Sequence, residues 1–364
     1  MTAGVLIYLS ICGIGLFATR GKTISIVLVL LICIGMLNAV EYADYQEYST
    51  AYNLVLYHSD EFFRYPAGWI NLCRIFAYFD VPYNVFQTVI IGLSLCMFYL
   101  VFSHYTQEIN LAFSLFAIYP LLIECIQYRS MFAVAICTLG FLMLEKPGYK
   151  RRFLYICLVM LAMQFHTSVV VFMLPACVSI FRCRFGQKTI NGNMRILMFS
   201  ICLLAAVFCI ARFAPQLMSF FLHDRDATYL NNISSQISTV ARIAAVYLFN
   251  AYISSKIAAI VQLNADSDAK RELATVMQIT NYLLIAGVAL LVFNTNFYRF
   301  LRFYYPINIA LLSLAFGSLQ DKKSKAALII LGVLYVLLGT TLDLFWTFEI
   351  TGAPILNGIV SWLN

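Results

Sequence analysis

KRRFLYICLVMLAMQFHTSVVVFMLPACVSIFRCR, residues 150–184, decides how this chain folds. Inside it, residues 153–181 contain no Asp, Glu, Lys or Arg, and basic clusters close both ends. Short loops rich in Lys and Arg stay on the cytoplasmic side of a bilayer. With both ends on that side, the segment must enter the membrane and return. Each arm is then about 14 residues, or roughly 21 Å at the helical rise, against a hydrocarbon core of about 30 Å. The turn, QFHTS at 164–168, stops short of the far surface. Lipid offers its polar groups nothing, so the turn must line a water-accessible recess. The alternative, one long tilted helix, would reverse the sidedness of every later loop.

The rest of the composition agrees. Of 364 residues, 62% are apolar and only 11% charged, with a mean hydropathy of +0.84. Soluble domains carry about a quarter charged residues. The expected fold class is an all-α polytopic membrane protein, a single integral-membrane domain over 1–364. About 12 spans are expected, near 3–19, 23–39, 83–103, 111–126, 130–144, 153–165, 168–181, 195–212, 243–262, 273–293, 303–318 and 326–346. The first is expected to be a spanning helix and not a cleaved signal peptide, because no basic stretch precedes it. Two long connections, about 40–82 and 213–242, are outer loops. The 11 cysteines include no CxxC pair and no zinc-like spacing with His, and read as buried apolar thiols.

With the loop at 20–22 cytoplasmic, alternation places 145–152, 182–188, 256–271 and 321–325 on that same side. All nine lysines fall there, with seven arginines. The formal charge of +7 is therefore topogenic and implies no nucleic-acid partner. The remaining arginines, at 64, 74, 129, 212, 225, 242, 299 and 302, fall on or near the outer side, where there is no lysine. A planar guanidinium fork suits phosphate in a way that an ammonium does not. Pairing with outer carboxylates such as Asp60, Glu61, Asp80 and Asp226 is the alternative. The segment 111–144 makes a second short hairpin, with IQYRS (126–130) at its turn, and this brings Arg129 to the depth of His166.

Three outer stretches carry chemistry. In EYADYQEYSTAYN (41–53), Asp44, Glu47, Tyr45, Tyr48 and Tyr52 crowd together, and a helix would put Asp44, Tyr48 and Tyr52 on one face. Rings that stack on a sugar and carboxylates that accept its hydroxyl protons suit a glycan; an interfacial aromatic belt is the bland alternative. FRYPAGWINLCRIFAYFDVPYNVF (63–86) reads as a helix along the outer interface, with Trp69, Leu72, Ile75, Phe76 and Phe79 on one face. NTNFYRFLRFYYP (294–306) sets Arg299 and Arg302 at i, i+3, able to point at one diphosphate. Snorkelling at a helix end would explain them equally. DSD (266–268) and HDRD (223–226) read as solvated loops and not as a nucleotide-sugar or metal site.

In this order, DYQEYSTAY (44–52), PAGWINLCRIF (66–76), QYRSMFAVAICTLGFLML (127–144), LYICLVMLAMQFHTSVVVFMLP (154–175) and YRFLRFYYPINIALL (298–312) resemble the EpsG branch of the Wzy-type O-antigen and capsule polymerases. The likeness runs from about 40 to 315; Ser130 stands where the family pattern has Gln after the arginine. The resemblance implies a GT-C-like integral-membrane glycosyltransferase of the bacterial inner (cytoplasmic) membrane. Such an enzyme moves a glycan from undecaprenyl pyrophosphate onto a lipid-linked repeat unit at the outer face, building O-antigen of lipopolysaccharide, capsule or exopolysaccharide. No cofactor or metal is implied. Partners are the lipid-linked donor and acceptor and membrane lipid, with a chain-length regulator and a flippase as candidates. Under it, Arg129, Arg299 and Arg302 hold the pyrophosphate, and His166 or Asp44 is the base. Tyr45, Tyr48, Tyr52 and Glu47 contact sugar. The rivals are a lipid-linked oligosaccharide flippase and a membrane O-acyltransferase.

Overall fold

The computed structural model describes residues 3–39, 42, 44–58, 65–145, 148–185, 237–292, 295–345 and 355–356. The expected span at 195–212, the stretch 223–226 and most of the connection 213–242 lie outside the described residues, as do Arg64, Arg212, Arg225, Asp60, Glu61 and Asp226. Every other expected span coincides with helix, and no strand occurs among the described residues.

The elements run α1 (Ala3–Phe17), α2 (Thr23–Asn38), α3 (Tyr45–Leu54), α4 (Ala67–Tyr78), α5 (Tyr83–Tyr105) and α6 (Ile109–Phe116). A π turn at Ala117–Leu121, where Pro120 cannot donate a backbone bond, leads to α7 (Leu122–Ile126). Then come α8 (Tyr128–Leu144), α9 (Tyr149–Met163), a 3-10 stretch at Thr167–Phe172 and α10 (Met173–Phe185). After the gap follow α11 (Ile237–Asn264), α12 (Asp268–Leu284), 3-10 turns at Ile285–Val292 and Thr295–Tyr298, α13 (Arg299–Phe303), α14 (Tyr305–Ser318) and α15 (Lys322–Phe345).

Four described helical stretches are long and apolar enough to cross a membrane: Tyr83–Tyr105, Ile109–Ile126, Arg242–Asn264 and Lys322–Thr341. Ile109–Ile126 is 94% buried, against 33% for Lys322–Thr341. The former is thus the axis around which the others pack, and the latter presents most of its surface outward. The expected span at 273–293 is amphipathic α12 followed by 3-10 backbone, because Asp268, Lys270, Arg271 and Glu272 occupy its first turns. Asp266 and Asp268 pair there with Lys270 and Arg271 at 3.1 Å each, so DSD is a helix start capped by Ser267.

α8 and α9 form the tight pair that the hairpin reading requires. A side chain at Gly140 would stand 3.0 Å from the Tyr155 ring, so glycine lets the two helices close up. Phe132 and Phe165 meet edge to face at 5.0 Å near their shared turn end. α5 lies beside α8 in the same direction: Tyr128 donates to the Tyr83 hydroxyl at one end, and His104 bonds Glu145 at 2.8 Å at the other. The bundle therefore has two chemically distinct ends. Arg20–Glu108, at 3.0 Å, and the carbonyls of Ala18 and Arg20 on Asn110 lie at the end of the basic loops. The turns carrying Arg129 and His166 lie at the opposite end.

Asn308 of α14 locks the second half. Its amide donates to Asn250 of α11, Asn281 of α12 and Tyr335 of α15 at 3.1, 3.1 and 3.2 Å. All four side chains are buried. Polar side chains bonded across helices hold a bundle together where lipid is as apolar as the core. Asn308→Leu is expected to lower stability by about 1–2 kcal/mol, read as an earlier melting transition of the detergent-solubilised protein. An unchanged transition would show that the network contributes nothing.

Candidate functional site

α3 begins at Asp44, whose backbone takes the left-handed conformation at φ 68°, and whose carbonyl accepts the Tyr48 N–H at 3.1 Å. A non-glycine residue in that region stores strain and marks a place worth attention. Asp44 and Glu47 are exposed, Tyr48 half-buried. Arg129 is the second residue of α8, because Gln127 breaks the helix between α7 and α8. Its guanidinium lies over the Tyr65 ring at 4.5 Å, and it acts electrostatically on the Tyr48 hydroxyl. Tyr65 in turn donates to Glu47 at 3.3 Å.

Arg299 and Arg302 arrive on the short α13. Arg129, Arg299 and Arg302 all act electrostatically on His166, and Arg299 and Arg129 also act on Asp44. Arg302 bonds Gln127 at 2.6 Å, and His166 packs edge to face on Phe303 at 6.1 Å, so the turns at 126–130 and 164–168 meet the helix at 299–303. The Nε atoms of Arg129 and Arg299 are buried without a hydrogen-bond partner. Among the described residues no carboxylate stands within ion-pair distance of either. Buried guanidinium hydrogens left unmatched are costly, and an anion with several oxygens would satisfy both.

Arg302 differs. It is fully buried and its Nε donates to Glu124 at 2.6 Å, its Nη2 to Gln127 at 2.6 Å and its Nη1 to the Tyr298 hydroxyl at 3.3 Å. Its fork is already engaged by the protein. Among the expected sugar contacts, Tyr48 packs on Tyr65 at 5.9 Å beside Arg129, and Glu47 accepts from Tyr65. Tyr45 donates to Asn84 at 2.9 Å, and Tyr52 is buried with its hydroxyl on the Val81 carbonyl at 2.7 Å and its ring stacked on Phe86.

His166 caps the 3-10 stretch: its Nδ1 accepts the Ser168 N–H at 3.4 Å. In a neutral imidazole with an accepting Nδ1, the proton sits on Nε2, so the free nitrogen is a donor. Lying in the turn between the two arms, His166 is pushed below its ordinary range, first by burial and then by the three arginines. Asp44 is pushed above its ordinary range, by partial desolvation first and Glu47 second, with Arg299 and Arg129 opposing.

Glu124, Gln127 and Tyr65 were not among the expected site residues. Glu124 carried a signal nonetheless: it and Arg129 are the only charged residues in 109–144, and an ionisable group inside an apolar segment is a site candidate by default. Tyr65 carried none, since one tyrosine among many in an aromatic loop is unremarkable. No group of His, Cys, Asp and Glu suited to a metal occurs among the described residues.

Together these features define an integral-membrane protein of α-helices with a group of arginines at the end of the bundle opposite its basic loops. The model of the EpsG family matches residues 22–351, and the chain belongs to that family. The family is associated with polysaccharide polymerisation by glycosyl transfer. No curated protein and no solved structure matches the chain.

Proposed function

We propose that the protein polymerises undecaprenyl-pyrophosphate-linked repeat units at the outer face of the bacterial inner membrane, as a multi-pass, GT-C-like enzyme of about 12 spans. The reading is carried by the two unpartnered guanidinium Nε atoms of Arg129 and Arg299, both of which act electrostatically on His166 and Asp44. A lipid diphosphate supplies the oxygens that these groups lack. An acceptor hydroxyl attacks the anomeric carbon of the donor glycan. A new glycosidic C–O bond forms and the bond to the diphosphate breaks, its electron pair leaving with the undecaprenyl pyrophosphate. Arg129 and Arg299, with the Nε2–H of His166, offset the charge that develops on that leaving group. Arg302, held by Glu124 and Gln127, adds positive charge from behind.

The proton of the acceptor hydroxyl goes to Asp44. A base works best with a pKa raised toward the working pH, and the surroundings raise Asp44 and depress His166. His166, sequence candidate for the base, is therefore assigned to the diphosphate and Asp44 to the hydroxyl. Glu47, Tyr48 and Tyr65 are proposed to face the sugar. Because Asp44 must be ionised to accept a proton, the rate falls as pH drops through its raised pKa. Asp44→Asn is expected to lower the rate and remove that acidic limb; a limb that persists in the variant excludes Asp44 as its source.

The deciding experiment is a deletion strain complemented with His166→Ala or Asp44→Asn, with surface glycan read on gels. The proposal expects single repeat units still displayed and no ladder. Full-length ladders from both variants at normal protein levels would refute these roles. Loss of all surface glycan in the deletion would indicate a flippase, and normal ladders lacking acetyl groups an acyltransferase.

A further inference from the structure

α4 touches both of the turns that carry Arg129 and His166. Its first turn is set against the tip of the α9 hairpin: the Trp69 N–H donates to the Gln164 carbonyl at 3.0 Å. Gly68 lies so close that a Cβ there would stand 2.6 Å from the Gln164 Cβ and 2.8 Å from the Gln164 carbonyl oxygen. Only glycine fits without displacing backbone, and Gln164 is two residues from His166. From the same turn of α4, the Trp69 ring packs edge to face on Tyr128 at 5.4 Å, and Tyr128 directly precedes Arg129. Trp69 is buried, and it also packs against Phe86 of α5 at 5.7 Å. The far end of α4 is anchored by Arg74, which donates to the carbonyls of Val55 and His58 at 3.2 and 3.3 Å.

We propose that the first turn of α4 is a strut that sets the separation of His166 from Arg129, with Gly68 as a positioning residue. The inference rests on the reading of those two side chains as diphosphate ligands. A helix that sequence pattern assigns to the membrane interface thereby becomes part of the catalytic geometry. Adding one methyl at Gly68 pushes Gln164, and with it the His166 turn, away from Arg129, while every residue that would touch substrate is still present.

The test uses the full-length protein in proteoliposomes, with lipid-linked repeat units extracted from the deletion strain as substrate. Gly68→Ala is expected to lower turnover at saturating donor by about tenfold or more, as small misplacements of reacting groups do, with its melting transition unchanged. Gly13→Ala, at a glycine with open space around it, is the control and should turn over like the parent. The diagnostic measurement is a cycle with His166→Ala, which alone is expected to slow turnover roughly a hundredfold. If Gly68 acts through His166, Gly68→Ala adds less than about a further factor of two in that background. Wild-type turnover in Gly68→Ala, or losses that multiply in the double variant, overturns the strut. If Gly68→Ala does not accumulate, Trp69→Phe replaces it, in a cycle with Arg129→Lys and with the same two outcomes. Slow Gly68→Ala beside a fully active His166→Ala would instead overturn the diphosphate reading.

Discussion

Arg129→Lys is expected to lower polymerisation by about a hundredfold or more, although the positive charge is kept. The native guanidinium lies over Tyr65 with its carbon 4.5 Å from the ring centre, and it still has an unmatched Nε–H. A lysine ammonium is a compact point charge on a flexible stem. It cannot stack on Tyr65 as a planar group does and present a fork of donors to an oxyanion at once. If charge alone mattered, lysine would restore most of the rate that alanine loses. The measurement is initial rate in proteoliposomes for Arg129→Lys and Arg129→Ala side by side. Near-parental turnover in the lysine variant would remove fork geometry from the mechanism.

Arg302→Ala is expected to cost about 3–5 kcal/mol of stability, because it leaves the Glu124 carboxylate buried without its guanidinium. The pair is fully enclosed, with Arg302 at 0% and Glu124 at 2% exposure, so solvent screening does not soften the loss. It also joins α7 to α13, and through them the turn bearing Arg129 to the helix bearing Arg299. Arg302→Met with Glu124→Leu is the informative companion. An apolar pair of similar volume can recover stability but not the positive charge behind the diphosphate. The double variant should melt close to the parent and still turn over slowly. A double variant that is both stable and fully active would confine the pair to a structural role, and a stable Arg302→Ala would contradict the burial argument itself.

The site was partly legible before any coordinates. Arg129, His166 and Arg299 stand out in the sequence as a charge or a histidine beside apolar residues, and Asp44 as a carboxylate among tyrosines. The two short hairpins put Arg129 and His166 at one depth, but 44 and 299 are far from them in sequence, and only the family resemblance joins all four. The roles of the tyrosines could not be read either. Tyr45, Tyr48 and Tyr52 are near neighbours in one short segment, yet Tyr48 faces Arg129 while Tyr52 is buried against Phe86. Which residues of α4 meet the protein was also left to packing. Ile75 and Phe79 point outward and the buried stripe is Trp69, Ile70 and Cys73, because α4 packs on α5 and the hairpin tip and not on a single flat surface.

By itself the sequence determined the helices, the membrane class and the confinement of lysine to one set of loops, because hydrophobic length and charge position act locally along the chain. Only tertiary packing decided which arginines are committed and which are open. Arg302 and Arg299 are three residues apart and chemically identical, but one is enclosed against Glu124 and Gln127 and the other keeps an unmatched Nε–H. That difference comes from which neighbours a fold brings within hydrogen-bonding distance, and no spacing along the chain encodes it.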